Sequence, residues 1–298
     1  MSSLKGVIAA VATPVTEDLS IDVDRLLEHC EWLLGAGRCD GINLLGTTGE
    51  ATSFSTSQRL AAMQAVAVSG LPLQQFMVGT GAAALDDAVQ LTAAARNLGF
   101  AGALLVPPFY YKQIDDGGLT AFIDAVIERV GGNDLPLYLY HFPANSGVPY
   151  PVDVVASLRD RYPEMVLGLK DSSGDLAYSA ELARRLPGFD VFPSAEGSLA
   201  RASELGFAGC ISATVNVTAP FAQAAYSGAS PEARAAGLAS AVHLRNELSK
   251  FPLVAAVKQA VALMKSDQHW SRLVPPLRAL DPGQGMALWK AIEGRVPD

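Results

Sequence analysis

The stretch Met165–Ser173, with the sequence MVLGLKDSS, combines a run of apolar residues with a lysine at its end. The apolar run is typical of a buried strand, and the polar residues after Lys170 indicate a turn. A lysine at the end of a buried strand is partly removed from water, which favours its neutral amine. Such an amine can attack a ketone and form a Schiff base. This segment alone leaves a second interpretation open, in which Lys170 extends to solvent or pairs with Asp171.

Seven further short apolar runs lie before and after this strand along the chain. Helical patterns, with apolar residues three and four positions apart, separate the runs. Near-continuously apolar strands that alternate with helices predict a parallel sheet covered on both faces. Eight such units over roughly 220 residues fit a closed (β/α)8 barrel, which makes the fold class α/β. The predicted strands are Val7–Thr13, Gly41–Leu45, Phe76–Gly79, Gly102–Val106, Leu137–His141, Val166–Lys170, Val191–Pro193 and Gly209–Ala213.

The last third of the chain has a different pattern. After Val215 no further strand is predicted, and the segment up to residue 298 is helical in pattern, with breaks at Pro252 and near Pro275. We therefore predict a catalytic barrel in residues 1–228 and a C-terminal helical region in residues 229–298. No low-complexity linker marks an independent second domain.

Composition and charge exclude several classes of partner. The 298-residue chain has a formal net charge of −8, which argues against nucleic acid and anionic membranes as partners. No apolar run approaches the roughly 18 residues that span a bilayer. The three cysteines, Cys30, Cys39 and Cys210, have no metal-site spacing, and their odd number is unlike a disulfide framework. Reduced thiols predict a cytoplasmic protein.

The residues that follow the carboxyl ends of the strands form the active site in a barrel of this kind. Gly46–Glu50 (GTTGE) is a glycine-bracketed turn before a helix, whose N–H groups and hydroxyls can hold a carboxylate. The alternative is a tight loop with threonine caps. Tyr140 ends the strand before that of Lys170 and can carry a proton as general acid and base, or be an amphipathic core residue. No histidines and acids have metal-ligand spacing, so neither a metal nor an organic cofactor is expected.

Five short sequences follow successive predicted strands and together resemble the dihydrodipicolinate synthase/N-acetylneuraminate lyase family. They are Thr13-Pro14, Gly46–Glu50, Pro108–Tyr111 (PFYY), Tyr140–Pro143 (YHFP) and Gly168–Asp171 (GLKD). The resemblance extends from about residue 6 to the C-terminal helices. It implies a (β/α)8 barrel with a C-terminal helical region and a class I aldolase mechanism. The implied partners are a 2-oxo acid such as pyruvate, an aldehyde, and three further copies of the chain in a homotetramer.

The resemblance also implies a role for individual residues. Lys170 is implied to form the imine with the 2-oxo acid, and Tyr140 to carry the proton beside it. Thr47 is similar to the hydroxyl that links this tyrosine into a proton relay, and Thr48 to the residue that holds the pyruvate carboxylate. Tyr110 is similar to a tyrosine that reaches across a dimer interface into the neighbouring site. The other expected substrate-binding residues are Gly49, Asn145, Ser194, Glu196 and Ile211.

One departure from the family pattern bears on the substrate. Asn145 stands where dihydrodipicolinate synthases usually carry an arginine for the carboxylate of aspartate semialdehyde, and an amide cannot form that bidentate charged contact. The stretch Pro143–Gly147 (PANSG) is more similar to relatives that cleave 4-hydroxy-2-oxoglutarate or 2-keto-3-deoxy sugar acids, and this resemblance implies retro-aldol cleavage of such a 4-hydroxy-2-oxo acid. The alternatives are a synthase that condenses pyruvate with aspartate semialdehyde, a dehydratase that uses the same imine, and a catalytically silent protein that binds 2-oxo acids.

Overall fold

Eight parallel strands form one sheet in the computed structural model, which describes residues 4–297. The first strand pairs with both the second and the eighth, so the sheet curves into a nearly closed barrel. The (β/α)8 fold and all eight predicted strands are confirmed. The strands are β1 (Gly6–Ala10), β2 (Gly41–Leu44), β3 (Phe76–Gly79), β4 (Gly102–Leu105), β5 (Leu137–His141), β6 (Val166–Asp171), β7 (Asp190–Pro193) and β8 (Gly209–Ser212).

The strand bounds differ from prediction most at the first strand, which ends at Ala10 instead of Thr13. The cause is a side chain from a distant part of the sequence. The Val11 N–H still donates to the Asn43 carbonyl of β2 at 3.1 Å, but the backbone N–H of Ala12 donates to the Asn216 side-chain oxygen at 3.0 Å, so from Ala12 onward the chain bonds to a helix. Apolar composition alone does not reveal such a partner.

Twelve α-helices surround and follow the barrel within the described residues. Ser55 and Gln58 form a capping box at the start of the second helix, with each side chain bonded to the other residue's backbone N–H. The helices are α1 (Val23–Leu34), α2 (Thr56–Val68), α3 (Leu85–Leu98), α4 (Asp116–Val130), α5 (Pro143–Ser146), α6 (Val152–Arg161), α7 (Leu176–Arg185), α8 (Ala202–Leu205), α9 (Val215–Ser227), α10 (Pro231–Leu248), α11 (Leu253–Met264) and α12 (Pro282–Ile292).

Four hydrophobic clusters pack these elements together within the described residues, and the smallest consists of Val15, Phe54 and Val274. The largest lies between the sheet and the surrounding helices, and a smaller one, which includes Ile8 and Met77, fills the barrel interior. The third cluster joins the C-terminal helices to the barrel, because Val257 and Val261 of α11 pack with Val217 of α9. C-terminal helices are present, as predicted. The division of the chain at residue 228 stays a prediction.

Two further observations concern the helices and the cysteines. None of the helices within residues 4–297 is both long and apolar enough to span a lipid bilayer. Cys30, Cys39 and Cys210 are buried and unpaired with one another, and burial raises the pKa of each thiol. A cytoplasmic location stays a prediction.

Candidate active site

Lys170 and Tyr140 are brought together by the register of two neighbouring strands. Tyr140 of β5 pairs directly with Lys170 of β6, so both side chains leave the sheet on the same side. The Lys170 Nζ lies 4.4 Å from the centroid of the Tyr140 ring. Both residues are buried, with Lys170 only 3% exposed. The amine is thus held against an aromatic ring at the carboxyl end of the barrel.

Asp171 does not pair with this lysine. Because successive residues of a strand point to opposite faces, the Asp171 carboxylate lies on the other side of the sheet from Lys170. One carboxylate oxygen accepts a hydrogen bond from the Ser173 N–H at 2.8 Å, and the other accepts one from the Ser179 hydroxyl at 2.7 Å. The interpretation of Lys170 as the ion-pair partner of Asp171 is therefore wrong.

The Tyr140 hydroxyl is connected to two other hydroxyls. Thr47, from the turn after β2, lies 3.3 Å from it, and the Ser172 hydroxyl donates to it at 3.4 Å. Thr47 was predicted as a site residue, whereas Ser172 was missed. The signal for Ser172 was present in the sequence, since a residue two positions after Lys170 in an extended segment faces the same side. These three hydroxyls form a chain along which a proton can move.

A cavity of about 340 Å³ opens beside this group. Thr47, Tyr140 and Asn145 line it, together with apolar side chains such as Val106 and Phe142. Its volume lies in the range of small-molecule sites. Lys170 is not part of the lining, but its amine contacts the ring of Tyr140, which is part of it. Of the residues predicted to bind substrate, Thr48, Gly49, Ser194, Glu196 and Ile211 also do not line this cavity.

The Gly46–Glu50 turn has a strained backbone. Leu45 and Glu50, which flank the two threonines, have φ angles of +52° and +54°, in the left-handed region that non-glycine residues rarely adopt. A Cβ at Gly49 would lie 3.0 Å from the Thr13 hydroxyl oxygen and 3.1 Å from the Val11 carbonyl oxygen, so this crowded position favours glycine. Thr48 is buried beside it. The turn therefore holds its conformation through contacts with the rest of the protein.

A buried ion pair supplies one of these contacts. The Lys258 Nζ of α11 donates to a Glu50 carboxylate oxygen at 2.6 Å and to the Thr13 carbonyl at 2.8 Å. The other Glu50 oxygen accepts from the Val274 N–H at 2.8 Å. Both charged side chains are fully buried. Burial lowers the pKa of Lys258, and the charge of Glu50 opposes this shift. The C-terminal region thus anchors the threonine turn to the barrel.

Glu196 has a structural environment that differs from the expectation of substrate contact. Its side chain is fully buried. Its two oxygens accept hydrogen bonds from three hydroxyls of the β8–α9 segment and from the guanidinium of Arg245 of α10, at 2.5–3.1 Å. The hydroxyls are those of Ser212, Thr214 and Thr218. With both oxygens occupied inside the protein, Glu196 stabilises the joint between the barrel and the C-terminal helices.

The remaining predicted residues lie at three different places. Ile211 of β8 packs in the barrel interior in the same cluster as Tyr140. Ser194 follows β7, and its N–H donates to the Asp171 carbonyl at 2.8 Å. Tyr110, in the loop after β4, is 74% exposed and contacts the ring of Tyr111 edge-on. Within one subunit, Tyr110 contributes nothing to the cavity.

Two further buried residues, His29 and Arg59, carry titratable side chains. His29 of α1 lies within 5.7 Å of the Trp32 ring and 4.8 Å of the Trp270 ring. Its Nε2 lies 3.1 Å from the side-chain oxygen of Asn216, and burial lowers the pKa of the imidazole to about 3. Arg59 of α2 lines the cavity and, like Ser172, was not predicted as a site residue.

These features define a class of protein: a (β/α)8 barrel whose strand ends place a buried lysine against a tyrosine, next to a small-molecule cavity. Residues 3–292 match the Dihydrodipicolinate synthetase family, and the chain belongs to this family. It is therefore a lyase of this family, of the class I aldolase type.

Individual relatives agree with this placement. The chain is 33% identical over 298 residues to an uncharacterised DapA-like lyase of Chloroflexus aurantiacus, which covers 98% of this chain and 97% of the relative. It is 35% identical over 262 residues to a 4-hydroxy-tetrahydrodipicolinate synthase of Thermomicrobium roseum, covering 85% and 80%. The crystal structure of dihydrodipicolinate synthase from Agrobacterium tumefaciens is 30% identical and superposes with a TM-score of 0.86 over 97% of this chain and 98% of that one.

Proposed function

We propose that this protein cleaves a 4-hydroxy-2-oxo acid into pyruvate and an aldehyde through an imine on Lys170. The observation that carries the proposal is the placement of the Lys170 amine 4.4 Å from the ring centroid of Tyr140, whose hydroxyl contacts Thr47. An amine that attacks a carbonyl needs a nearby group to move protons on and off the intermediate oxygen. Tyr140 is positioned for that task.

The reaction follows from this arrangement in balanced steps. The neutral amine attacks the C2 carbonyl carbon, and the carbinolamine loses water with a proton supplied through Tyr140, which leaves a protonated imine. The imine accepts the electron pair of the C3–C4 bond while the C4 hydroxyl gives its proton to the Tyr140 relay, and the aldehyde departs. Protonation of the resulting enamine at C3 and hydrolysis of the imine release pyruvate and restore the amine.

The threonine turn is proposed to hold the carboxylate at C1. Thr48 and Gly49 would offer backbone N–H groups and a hydroxyl to an anion. Thr47 would instead complete the proton relay through its contact with Tyr140. These roles separate substrate binding from proton transfer within one turn.

Asn145 favours cleavage over the synthase reaction. Its side chain lines the cavity at the position where the resembling synthases have an arginine, and it provides hydrogen bonds without a charge. The second candidate is the synthase reaction on pyruvate and aspartate semialdehyde, favoured by the 35% identity to the Thermomicrobium roseum synthase. A dehydratase that uses the same imine is the third.

The test of the imine is reductive trapping. We expect borohydride with pyruvate to leave a stable adduct that intact mass detects and that peptide mapping locates at Lys170. Lys258, equally buried but paired with Glu50, is the internal control and should remain unmodified. The absence of an adduct on folded protein would overturn the imine mechanism and favour a protein that only binds 2-oxo acids.

A substrate panel distinguishes the three reactions. Pyruvate release from 4-hydroxy-2-oxoglutarate or a 2-keto-3-deoxy sugar acid is the result expected for a lyase. Loss of water without pyruvate release would indicate a dehydratase. Consumption of aspartate semialdehyde that depends on pyruvate would indicate the synthase.

We also propose that the protein is a homotetramer in which Tyr110 reaches the site of a neighbouring subunit. The exposure of two adjacent large aromatic side chains, Tyr110 and Tyr111, supports an interface at this loop. Light scattering is expected to give the mass of four chains, and Tyr110→Ala is expected to lower turnover more than Tyr111→Ala. A fully active monomer would contradict both parts of the proposal.

A further inference from the structure

Arg59 occupies a position in α2 where an apolar residue is usual. The buried residues of this helix are Arg59, Ala62, Met63 and Val66, which follow one another at the spacing of a single buried stripe. Arg59 is only 3% exposed. A guanidinium is among the most costly groups to bury, because it loses its hydration. A guanidinium buried here needs hydrogen-bond acceptors or a counter-ion to offset the lost hydration.

The protein supplies only neutral partners in direct contact. The Arg59 guanidinium donates to the Gly81 carbonyl at 3.1 Å and to the Gly79 carbonyl at 2.9 Å, while its Nε has no hydrogen-bond partner. Across residues 4–297, no carboxylate forms an ion pair with it. Burial lowers its pKa to about 10, and the more distant charge of Asp87 opposes the shift. At neutral pH the group is therefore a buried cation without a counter-ion.

This cation faces the cavity beside the proposed imine. Of the sixteen described residues that line the cavity, Arg59 is the one with a charged side chain, and it shares the lining with Tyr140, Thr47 and Asn145. Apart from Lys170, a second lysine lies close to the cavity: the ammonium of Lys112 donates to the carbonyls of Phe109 and Ser146, so it is already bonded within the protein. An anionic group that enters the cavity would gain a charge-assisted contact with Arg59.

We propose that Arg59 binds a second carboxylate of the substrate, at the end away from the imine. The inference rests on the proposed lyase function and specifies its substrate class. The substrate is a 4-hydroxy-2-oxo dicarboxylic acid, in preference to a sugar acid that carries no charge at the end away from C1. Arg59 of α2 would thus take the part played in the related synthases by the arginine at the position of Asn145. Asn145 itself would bind the C4 hydroxyl. A carboxylate fits better than a phosphate dianion, since the cavity lining offers one cation.

The experiment compares two substrates that differ only at the far end, 4-hydroxy-2-oxoglutarate and 4-hydroxy-2-oxopentanoate, in which a methyl replaces the second carboxylate. In the wild type we expect a higher kcat/KM for the dicarboxylate. In Arg59→Met that preference should fall by about 10- to 100-fold, the range for one charge-assisted contact, and Arg59→Lys should retain part of it. Lys112→Met is the matched control, and its preference should equal that of the wild type.

A second measurement uses the wild type alone and does not depend on how well the variants fold. Borohydride trapping with 2-oxoglutarate should reach half-saturation at a lower concentration than trapping with 2-oxopentanoate, about tenfold lower for one charged contact. The reverse order would overturn the proposal. An equal loss on both aldol substrates in Arg59→Met would do so too, because it would mean that Arg59 only holds the carbonyls of Gly79 and Gly81.

Further outcomes of these measurements distinguish failure of the carboxylate assignment, of the proposed function and of the role of Arg59. A higher kcat/KM for a 6-phosphorylated 2-keto-3-deoxy sugar acid than for the dicarboxylate would overturn the choice of a carboxylate. Failure of wild-type trapping with pyruvate itself would overturn the proposed function, whereas trapping with pyruvate and no preference for the dicarboxylate would overturn the role of Arg59 alone.

Discussion

Two buried lysines, Lys170 at the barrel mouth and Lys258 in α11, have opposite surroundings. Lys258 is fully buried and donates to a carboxylate and a carbonyl, at 2.6 and 2.8 Å. Lys170 is 3% exposed, lies over the Tyr140 ring, and forms no ion pair with any carboxylate of the described chain. Burial lowers the pKa of Lys258 and the neighbouring charge of Glu50 opposes that shift, whereas Lys170 has no paired carboxylate within residues 4–297.

The difference teaches that burial alone does not identify a reactive lysine. A lysine paired with a buried carboxylate keeps its proton and acts as a structural cation, because the charged form has a partner. A lysine without a carboxylate partner lacks that stabilisation of its charged form, and the chain of hydroxyls beside it can carry protons to and from a bound substrate. The comparison can be tested by changing each lysine in turn.

Lys170→Met should have the largest effect on activity. We expect kcat to fall by at least about a thousandfold, which corresponds to ~4 kcal/mol, because no other group forms the covalent intermediate. The free energy of unfolding should stay the same or rise, since methionine replaces a buried polar amine that has no ion-pair partner. Steady-state kinetics and urea unfolding check the two parts, and retained turnover would remove Lys170 from the mechanism.

Lys258→Met should reverse this pattern. Loss of one member of a buried ion pair leaves the Glu50 carboxylate without its partner, so the free energy of unfolding should fall by about 3–5 kcal/mol. Urea unfolding measures the change, and Lys258→Met combined with Glu50→Leu should recover part of it. Where the single variant is folded, pyruvate trapping at Lys170 should still occur. A stability equal to that of the wild type would mean that the pair does not hold the turn.

Tyr140→Phe sharpens the comparison by removing only the proton carrier. The ring that contacts Lys170 remains, while the hydroxyl contacts with Thr47 and Ser172 are lost. We expect kcat to fall by about 10²- to 10⁴-fold, the range for a general acid–base group, with pyruvate trapping still detectable. Ser172→Ala is the smaller control, because it removes one relay partner and leaves the tyrosine. An unchanged kcat in Tyr140→Phe would exclude it from proton transfer.

His29 extends the comparison to a buried base with no catalytic role. Its pKa is near 6.5 in the unfolded chain and is lowered by burial to about 3 in the folded protein. Between these values the unfolded chain binds more protons, so stability falls as the pH decreases from about 6.5 towards 3. At pH 5 the loss is about 2 kcal/mol relative to pH 7.

His29→Gln should remove about that much of the decrease in unfolding free energy between pH 7 and pH 5. Urea unfolding at the two pH values measures the difference. His269→Gln is the control, because His269 lies at the surface beside Asp267. An identical pH dependence in His29→Gln and the wild type would contradict the assigned pKa.

Local patterns were sufficient to predict the barrel, and the reason is physical. A strand buried on both faces must be apolar along its length, so the eight strands could be recognised without knowledge of their neighbours. The polar residues at the strand ends followed from the same reasoning, because parallel strands place their carboxyl ends at one edge. Lys170 and Tyr140, as register partners, needed only the strand bounds.

Other features depend on contacts between distant parts of the sequence. The Glu50–Lys258 pair joins residues more than 200 positions apart, and Arg245 reaches Glu196 from a helix whose sequence shows no link to β7. Glu196 was therefore expected in the site, although its carboxylate is occupied inside the protein. Ser172 and Arg59 could have been found from strand alternation and from the buried stripe of α2.

The sequence by itself thus determined the (β/α)8 fold, the family and the pairing of Lys170 with Tyr140, since each rests on local periodicity or on residues within one motif. Only the tertiary structure decided which buried charges have partners, because that depends on how α2, α10 and α11 pack against the barrel. Lys258 is neutralised by Glu50 in that packing, whereas Arg59 is left facing the cavity with only carbonyl partners.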